Sequence, residues 1–370
     1  MNHIFYQTKT HFSNTGDVLI NNALINVLRN YGIIHANCCS DVPEEFLQNV
    51  GLKSEERIAC ENEFAFIKTV ISYAKKVKKS GDKVYVFSGL GDMYGGGLKL
   101  TVRNLISGMV FPVFRLFGVN IIRIGRSVGP LSKALAFSER VRSKFLTRYY
   151  LRDSKSLERC KNYKIKTSGF CPDLSWVYDS NHDKKINNTK TVMVNLRNSI
   201  FDNKESKFIE STLAKCDEVL SVLSKKYKGQ MKVIVAYQIK EDAEFSKTVY
   251  EFLSPKYDVE YRAKQIMLSE IKECYSCADF HLSNRMHSLL VGYKYGSLPI
   301  ALIDVENHTK ISATFKDCYL PEIMLDIYKS QDSNNIEFLF ENREEILNKM
   351  FEIESHYCEE ISLVLNGVFN

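Results

Sequence analysis

Proline is scarce, with seven in 370 residues, and no low-complexity tract interrupts the chain, which excludes long disordered stretches. No run of 18 or more apolar residues occurs without charge, so no membrane-spanning helix is expected. The first residues, MNHIFYQTKTHF, lack a basic segment followed by an apolar core and do not read as a signal peptide. The ten cysteines follow no framework spacing and are expected to be reduced thiols in a cytoplasmic protein. Cys274-x-x-Cys277 has no second cysteine pair or spaced histidines nearby, and a structural role is the better reading. No carboxylate cluster marks a metal site.

Acidic residues are nearly missing from one long segment. From Lys99 to Arg152 the chain carries eleven basic residues and one acid, Glu139, a local charge of +10; the chain's total of +6 then leaves −4 elsewhere. Such an excess points to an anionic partner. Within it, residues 100–119 are largely apolar with two arginines. Pro112 is expected to break or kink a helix there, and an interfacial segment at a lipid boundary is expected. A buried helix beside a solvated basic face is the alternative. Some of the arginines, Arg152 among them, could instead pair with acids inside the fold.

What is present is an alternation of apolar strands and amphipathic helices. HIFYQ reads as a strand, Asn14-Thr15-Gly16-Asp17 as a turn, and the residues from Val18 to Tyr31 as a helix. Residues 83–89, 120–125 and 148–153 read as further strands. The polar run 178–190 has linker composition. Beyond it, strands are expected at 191–197, 232–238, 257–262, 278–283 and 299–304. Helices are expected at 205–227, 241–253, 266–277 and 286–295, with a helical tail from Asn335. The pattern implies an α/β chain of two Rossmann-like domains, 1–180 and 188–370, in a GT-B-like arrangement with ligands in the interdomain cleft at the strand ends.

Ser283-Asn284-Arg285-Met286-His287-Ser288 stands where a buried strand gives way to a helix. A helix N-terminus attracts anions, a guanidinium suits phosphate or carboxylate, and an imidazole can move a proton near neutral pH. The set describes a site for an anionic substrate that must be protonated. Equally open from the residues alone is a helix capped by Ser283 or Asn284, with a surface arginine and a packed histidine. Arg197 ends the strand 191–197 at a comparable position. In the first turn, Gly16 allows close backbone approach, and Asn14 or Asp17 could bind sugar hydroxyls or simply cap the helix. The loop of Gly89, Gly91 and Gly95 to Gly97 lacks phosphate-loop spacing.

Taken in order, these motifs resemble the polysaccharide pyruvyl transferase family. The resemblance runs from about Asn14 to Lys316 through Asn14-Thr15-Gly16-Asp17, Gly125-Arg126-Ser127-Val128-Gly129-Pro130, Arg152-Asp153-x-x-Ser156-Leu157, Pro172-Asp173-Leu174, Ser283 to Ser288 and Gly296-x-x-Pro299. Two departures are Arg126, where the family often has glutamine, and Ser88-Gly89-Leu90-Gly91-Asp92, where it tends to have consecutive glycines. Membership implies phosphoenolpyruvate as donor and a pyruvate ketal across two sugar hydroxyls as product, in a precursor of an exopolysaccharide or capsule. It implies His287 as the catalytic acid, with Arg285, Arg197 and Ser288 binding donor in the second domain. Asn14, Gly16 and Asp17 would lie on the acceptor side in the first. No cofactor and no nucleic-acid partner are expected. The acceptor would be a lipid-linked or nucleotide-linked sugar, met by a protein peripheral to the inner face of an anionic membrane. A GT-B glycosyltransferase using a nucleotide sugar is the alternative, and a non-catalytic glycan- or membrane-binding protein a third reading.

Overall fold

The computed structural model describes residues 1–8, 10–39, 41–88, 90–179, 186–198, 205–329 and 333–370. Gly89 and residues 180–185 of the polar run 178–190 therefore lie outside the described residues. Two compact units make up the chain. One comprises Met1–Phe12, Asp17–Tyr178 and Tyr357–Asn370; the other comprises Ser13–Gly16 and Asp179–His356.

The first unit contains β1 (Asn2–Gln7), α1 (Thr15–Leu28, whose first two residues belong to the other unit), β2 (Ile33–Cys39), α2 (Glu44–Asn49), β3 (Arg57–Cys60) and α3 (Glu63–Val77). It continues with β4 (Lys83–Phe87), β5 (Gly91–Gly95), α4 (Leu98–Leu116), β6 (Asn120–Leu131), α5 (Lys133–Ser143), β7 (Arg148–Leu151), α6 (Ser154–Asn162) and β8 (Gly169–Phe170). The sheet is parallel in the order β3-β2-β1-β4-β6-β7-β8, with β5 paired to β6. Helices cover it because its central strands present apolar side chains: Phe5, Val84, Val86, Ile121 and Leu151 pack with Phe66 and Val70 of α3 and Phe111 and Phe114 of α4.

The second unit runs through β9 (Thr191–Asn195), α7 (Glu205–Lys226), β10 (Lys232–Val235), α8 (Ala243–Leu253), β11 (Asp258–Tyr261), α9 (Ile271–Tyr275), β12 (Phe280–Ser283) and α10 (Met286–Lys294). Then come β13 (Leu298–Ile303), α11 (Thr309–Asp317), β14 (Met324–Asp326), α12 (Ser333–Glu341) and α13 (Arg343–Phe369). Its parallel sheet has the order β11-β10-β9-β12-β13-β14. Counted within the unit, that is the doubly wound Rossmann order, which reverses direction between β9 and β12. Every residue of β9, β12 and β13 is buried.

The structure differs from the sequence-based expectation in particular places. Residues 266–277 form only the short α9 after a 3₁₀ turn, Leu268–Glu270. α4 runs through Pro112, which stands near its C-terminal end, where the one intrahelical bond forgone is that to the Gly108 carbonyl. The end of α13 packs with the first unit: Phe369 stacks on Tyr31 at 4.8 Å, and Tyr357 meets Trp176 edge-on at 5.4 Å. Among the described residues, no helix is long and apolar enough to cross a membrane.

Candidate functional site

Strand pairing places two arginines side by side in the second unit. Ser283 at the end of β12 pairs with Asn195 at the end of β9. Two residues further along each chain stand Arg285 and Arg197, at the point where the sheet order reverses. Asn284, fully buried, fixes their spacing. Its side chain accepts from the Arg197 backbone N–H at 2.8 Å and donates to the Arg197 carbonyl at 2.9 Å, so one amide continues the ladder beyond the last strand pair. Ser283 Oγ donates to the Asn195 carbonyl at 2.6 Å and accepts from the Arg285 N–H at 3.0 Å. Arg285, not Ser283 or Asn284, occupies the N-cap position of α10, with no side-chain cap. The first-turn N–H groups of this helix have no intrahelical partner and face where an anion would be favoured.

Asp242, just before α8, forms an ion pair with Arg285. Burial pushes its carboxyl above the usual range even though Arg285 and Arg197 both act to lower it. Sequence reasoning missed Asp242; its partner is defined only once β10 and β12 are placed in one sheet. His308, at the start of α11, is also close enough to Arg197 to feel its charge. Burial and then that guanidinium hold its imidazole down to about 4, so it is neutral at physiological pH.

His287 lies in the first turn of α10, partly exposed. It packs on the turn Asn14-Thr15-Gly16, which belongs to the same unit: a Cβ built on Gly16 would stand 2.5 Å from His287 Nδ1. The turn is held independently. Thr15 Oγ1 donates to the carbonyls of Gln238 (3.0 Å) and Ile266 (2.8 Å), and Asn14 Oδ1 accepts from the Gly16 N–H at 3.0 Å as the cap of α1. Two motifs far apart in sequence thus meet. Asp17 belongs to the first unit, where its carboxylate accepts from Thr10 Oγ1 at 2.9 Å.

Ser288, expected to touch donor, is instead fully buried. Its hydroxyl bonds His281 Nε2 at 3.1 Å and the Tyr275 hydroxyl at 3.0 Å, and Tyr275 in turn accepts from Gln238 at 2.7 Å. An N2 and an N3 residue of one helix point in different directions, so His287 can be accessible while Ser288 is internal. This chain runs from Ser288 to Gln238, whose carbonyl receives Thr15, and it ties α10 to the Gly16 turn.

The motifs around Ser127, Arg152-Asp153 and Asp173 converge in the first unit. Arg152, buried, donates from Nε to Ser127 Oγ at 2.8 Å, from Nη1 to Asp173 at 2.8 Å, and from Nη2 to Asp92. Asp153 accepts from Ser127 Oγ at 2.6 Å and from the Ser156 N–H at 2.7 Å, capping α6, while Ser156 Oγ accepts from the Val128 N–H at 2.7 Å. Ser175 closes on Asp173 through both N–H and hydroxyl. Gly125 takes a φ of +71° where β6 and β7 shift register, a turn that side-chain-bearing residues rarely make. One buried network therefore explains Ser127-Val128, Arg152-Asp153-x-x-Ser156 and Pro172-Asp173 together.

Cys274 Sγ accepts from Arg262 at 2.6 Å, and Cys277 Sγ donates to the Cys274 carbonyl at 3.0 Å. Burial raises both thiols, consistent with structural roles. Among the described residues, no three His, Cys, Asp or Glu side chains gather as a metal site.

No curated protein matches the chain. Among solved structures, the chain is similar to the UDP-GlcNAc 2-epimerase of Methanocaldococcus jannaschii (10% identity, 92% of this chain and 91% of that one, TM-score 0.53). It is also similar to UGT2 of Phytolacca americana, solved with UDP-2fluoro-glucose and pterostilbene (7% identity, 100% of both chains, TM-score 0.52). At such identities the likeness shows the fold, GT-B-like with two Rossmann-like units. The model of the family described as polysaccharide pyruvyl transferase matches residues 14–296, from the Asn14 turn through α10 to the glycine that follows it. The chain belongs to the polysaccharide pyruvyl transferase family.

Proposed function

We propose that the protein transfers pyruvate from phosphoenolpyruvate to a sugar, forming a ketal on a precursor of an exopolysaccharide or capsule. The observation that carries this reading is the pairing of Arg197 and Arg285 at the sheet reversal with His287 two residues beyond Arg285 in the first turn of α10. Phosphoenolpyruvate bears a phosphate and a carboxylate, and two guanidiniums suit both. A proton delivered by His287 to the methylene carbon makes C2 electrophilic. One sugar hydroxyl adds there, phosphate leaves, and a second hydroxyl closes the ketal; the two hydroxyl protons go to solvent or base. Asp242 holds Arg285 in place before the donor arrives. Ser288 serves this reading as internal support beneath His287. Asn14 and Gly16, which belong to the second unit, and Asp17 of the first are proposed to bind the acceptor, with Arg197 and Arg285 binding the donor.

The acceptor is proposed to be a nucleotide-linked or lipid-linked sugar, and the protein to act in the cytoplasm, peripheral to an anionic membrane. UGT2 of Phytolacca americana, which shares the fold, was solved with UDP-2fluoro-glucose, and this makes a glycosyltransferase the second reading. Incubating the purified protein with phosphoenolpyruvate and candidate carrier-linked sugars, with phosphate release and a mass gain on the sugar as readouts, tests the proposal. Turnover of a nucleotide sugar in place of phosphoenolpyruvate would select the second reading.

A further inference from the structure

α4 buries one face and exposes another that is apolar. Thr101, Asn104, Gly108, Phe111 and Phe114 face inward. Outward stand Leu98 (81% exposed), Val102, Leu105, Ile106 (61%), Met109 (70%), Val113 and Leu116 (82%). At about 100° per residue these seven fall within an arc of roughly 100°, a stripe on the order of 27 Å long. An ordinary surface scatters such side chains singly; a continuous stripe marks a surface that meets something apolar.

The charges beside the stripe are basic. Lys99 and Arg103 continue the exposed arc of α4. α5 packs against α4 through the Asn104–Ser138 hydrogen bond of 2.9 Å and carries Lys133, exposed Phe137, Arg140 and Lys144 at helical spacing. Arg140 lies over the Phe137 ring. Lys75, in the lysine-rich last turn of α3, sits over Phe117 at the end of α4. The segment's one acid is absent from this surface: Glu139 is fully buried and paired with Arg123 at 2.6 Å. Arg123, Arg142 and Arg152 likewise turn inward toward acids, whereas Lys99, Arg103, Lys133 and Lys144 are exposed.

We propose that α4, with the basic residues of α5 beside it, is an in-plane docking surface for an anionic lipid bilayer. A helix with an apolar face and a basic flank lies at the headgroup boundary, its side chains in the acyl edge and its cations among the phosphates. A second copy of the chain is disfavoured as occupant, because a self-complementary contact would set this uniformly basic rim against itself. That lipid docking brings the enzyme to its acceptor rests on the pyruvyl-transfer reading; the surface itself does not.

The test is co-sedimentation of the full chain with vesicles of phosphatidylglycerol and phosphatidylcholine, and with phosphatidylcholine alone, at low and high salt. Binding is expected to the anionic vesicles at low salt, weakened roughly tenfold or more by high salt, and weakened similarly in the Ile106→Asp/Met109→Asp double variant and in the Lys99→Glu/Arg103→Glu variant. All four positions are exposed, so unchanged melting temperatures and unchanged phosphate release with a water-soluble acceptor should accompany the loss. Absence of binding to anionic vesicles at low salt, or wild-type binding by the aspartate variant, overturns the proposal. So does concentration-dependent self-association in sedimentation velocity that the aspartates abolish, which would assign the stripe to a second copy.

Discussion

His287 rests on Gly16, with no room between them for a methyl group. The turn cannot retreat readily, because Thr15 is bonded to two backbone carbonyls. Gly16→Ala must therefore move the imidazole. We expect phosphate release to fall by roughly tenfold to a hundredfold, the scale on which small misplacements of a reacting group act, while the far-ultraviolet circular dichroism stays unchanged. A Gly16→Ala enzyme of wild-type turnover would show that the position of His287 does not matter to the reaction.

Removing the imidazole is a separate prediction. His287→Ala should lower kcat by about a hundredfold or more, the usual contribution of a general acid, and should change phosphoenolpyruvate affinity much less, since the two arginines remain. Near-normal turnover in this variant would refute the assignment of the acid.

Arg197 and Arg285 should not tolerate lysine. Lysine keeps the charge but loses the planar fork, so calorimetric titration with phosphoenolpyruvate should show affinity lowered roughly tenfold or more in either variant. Asp242→Asn removes the resident partner of Arg285 and should change donor affinity less than Arg285→Lys does. Unchanged affinity in both lysine variants would sink the clamp.

How much of this was legible beforehand depends on which interactions are local. β9 and β13 were readable because strands buried on both faces are largely apolar, and Arg197, Arg285 and His287 stood out as polar groups close after buried strands. β2 was not read: its IIHANCC sequence carries His35 and Asn37 among its apolar residues. β3, RIAC, is mostly half-buried or exposed and opens on Arg57, and β14 has only three residues. The roles of Asn284 and Asp242 depend on which strands become neighbours, and the burial of Ser288 on Tyr275 and His281 waiting beneath it. The basic segment illustrates the same limit: charge counting located it, but only packing sorts Arg123, Arg142 and Arg152, turned inward toward acids, from Lys99, Arg103 and Lys133 outside.

That inward sorting predicts a stability cost. Arg152 is the shared partner of Asp92, Asp173 and Ser127. Arg152→Met would leave the buried Asp173 carboxylate without its cation, and removing one partner of a buried pair typically costs about 3 to 5 kcal/mol. The urea midpoint should fall accordingly, with the slope of the transition unchanged. A midpoint within error of wild type would mean that the network contributes little.

His281 gives the fold a pH dependence with a definite sign. It is fully buried beneath α10, bonded to Ser288, and burial holds its imidazole down to about 3 from an ordinary value of 6.5. Between those values the unfolded chain binds a proton that the folded chain refuses, so acid favours unfolding. The contribution of His281 is fully present above pH 6.5 and is lost as pH falls toward 3, by about 1.4 kcal/mol per pH unit in the middle of that window. Carboxylates titrate there as well, so the measurement is the difference between wild type and His281→Asn, which keeps a polar group for Ser288 but cannot take up the proton. Wild type should be the more stable at pH 7, and its advantage should shrink as pH drops from 6.5 to 4.5. A difference that stays constant across that range would show that His281 is not held neutral by the fold.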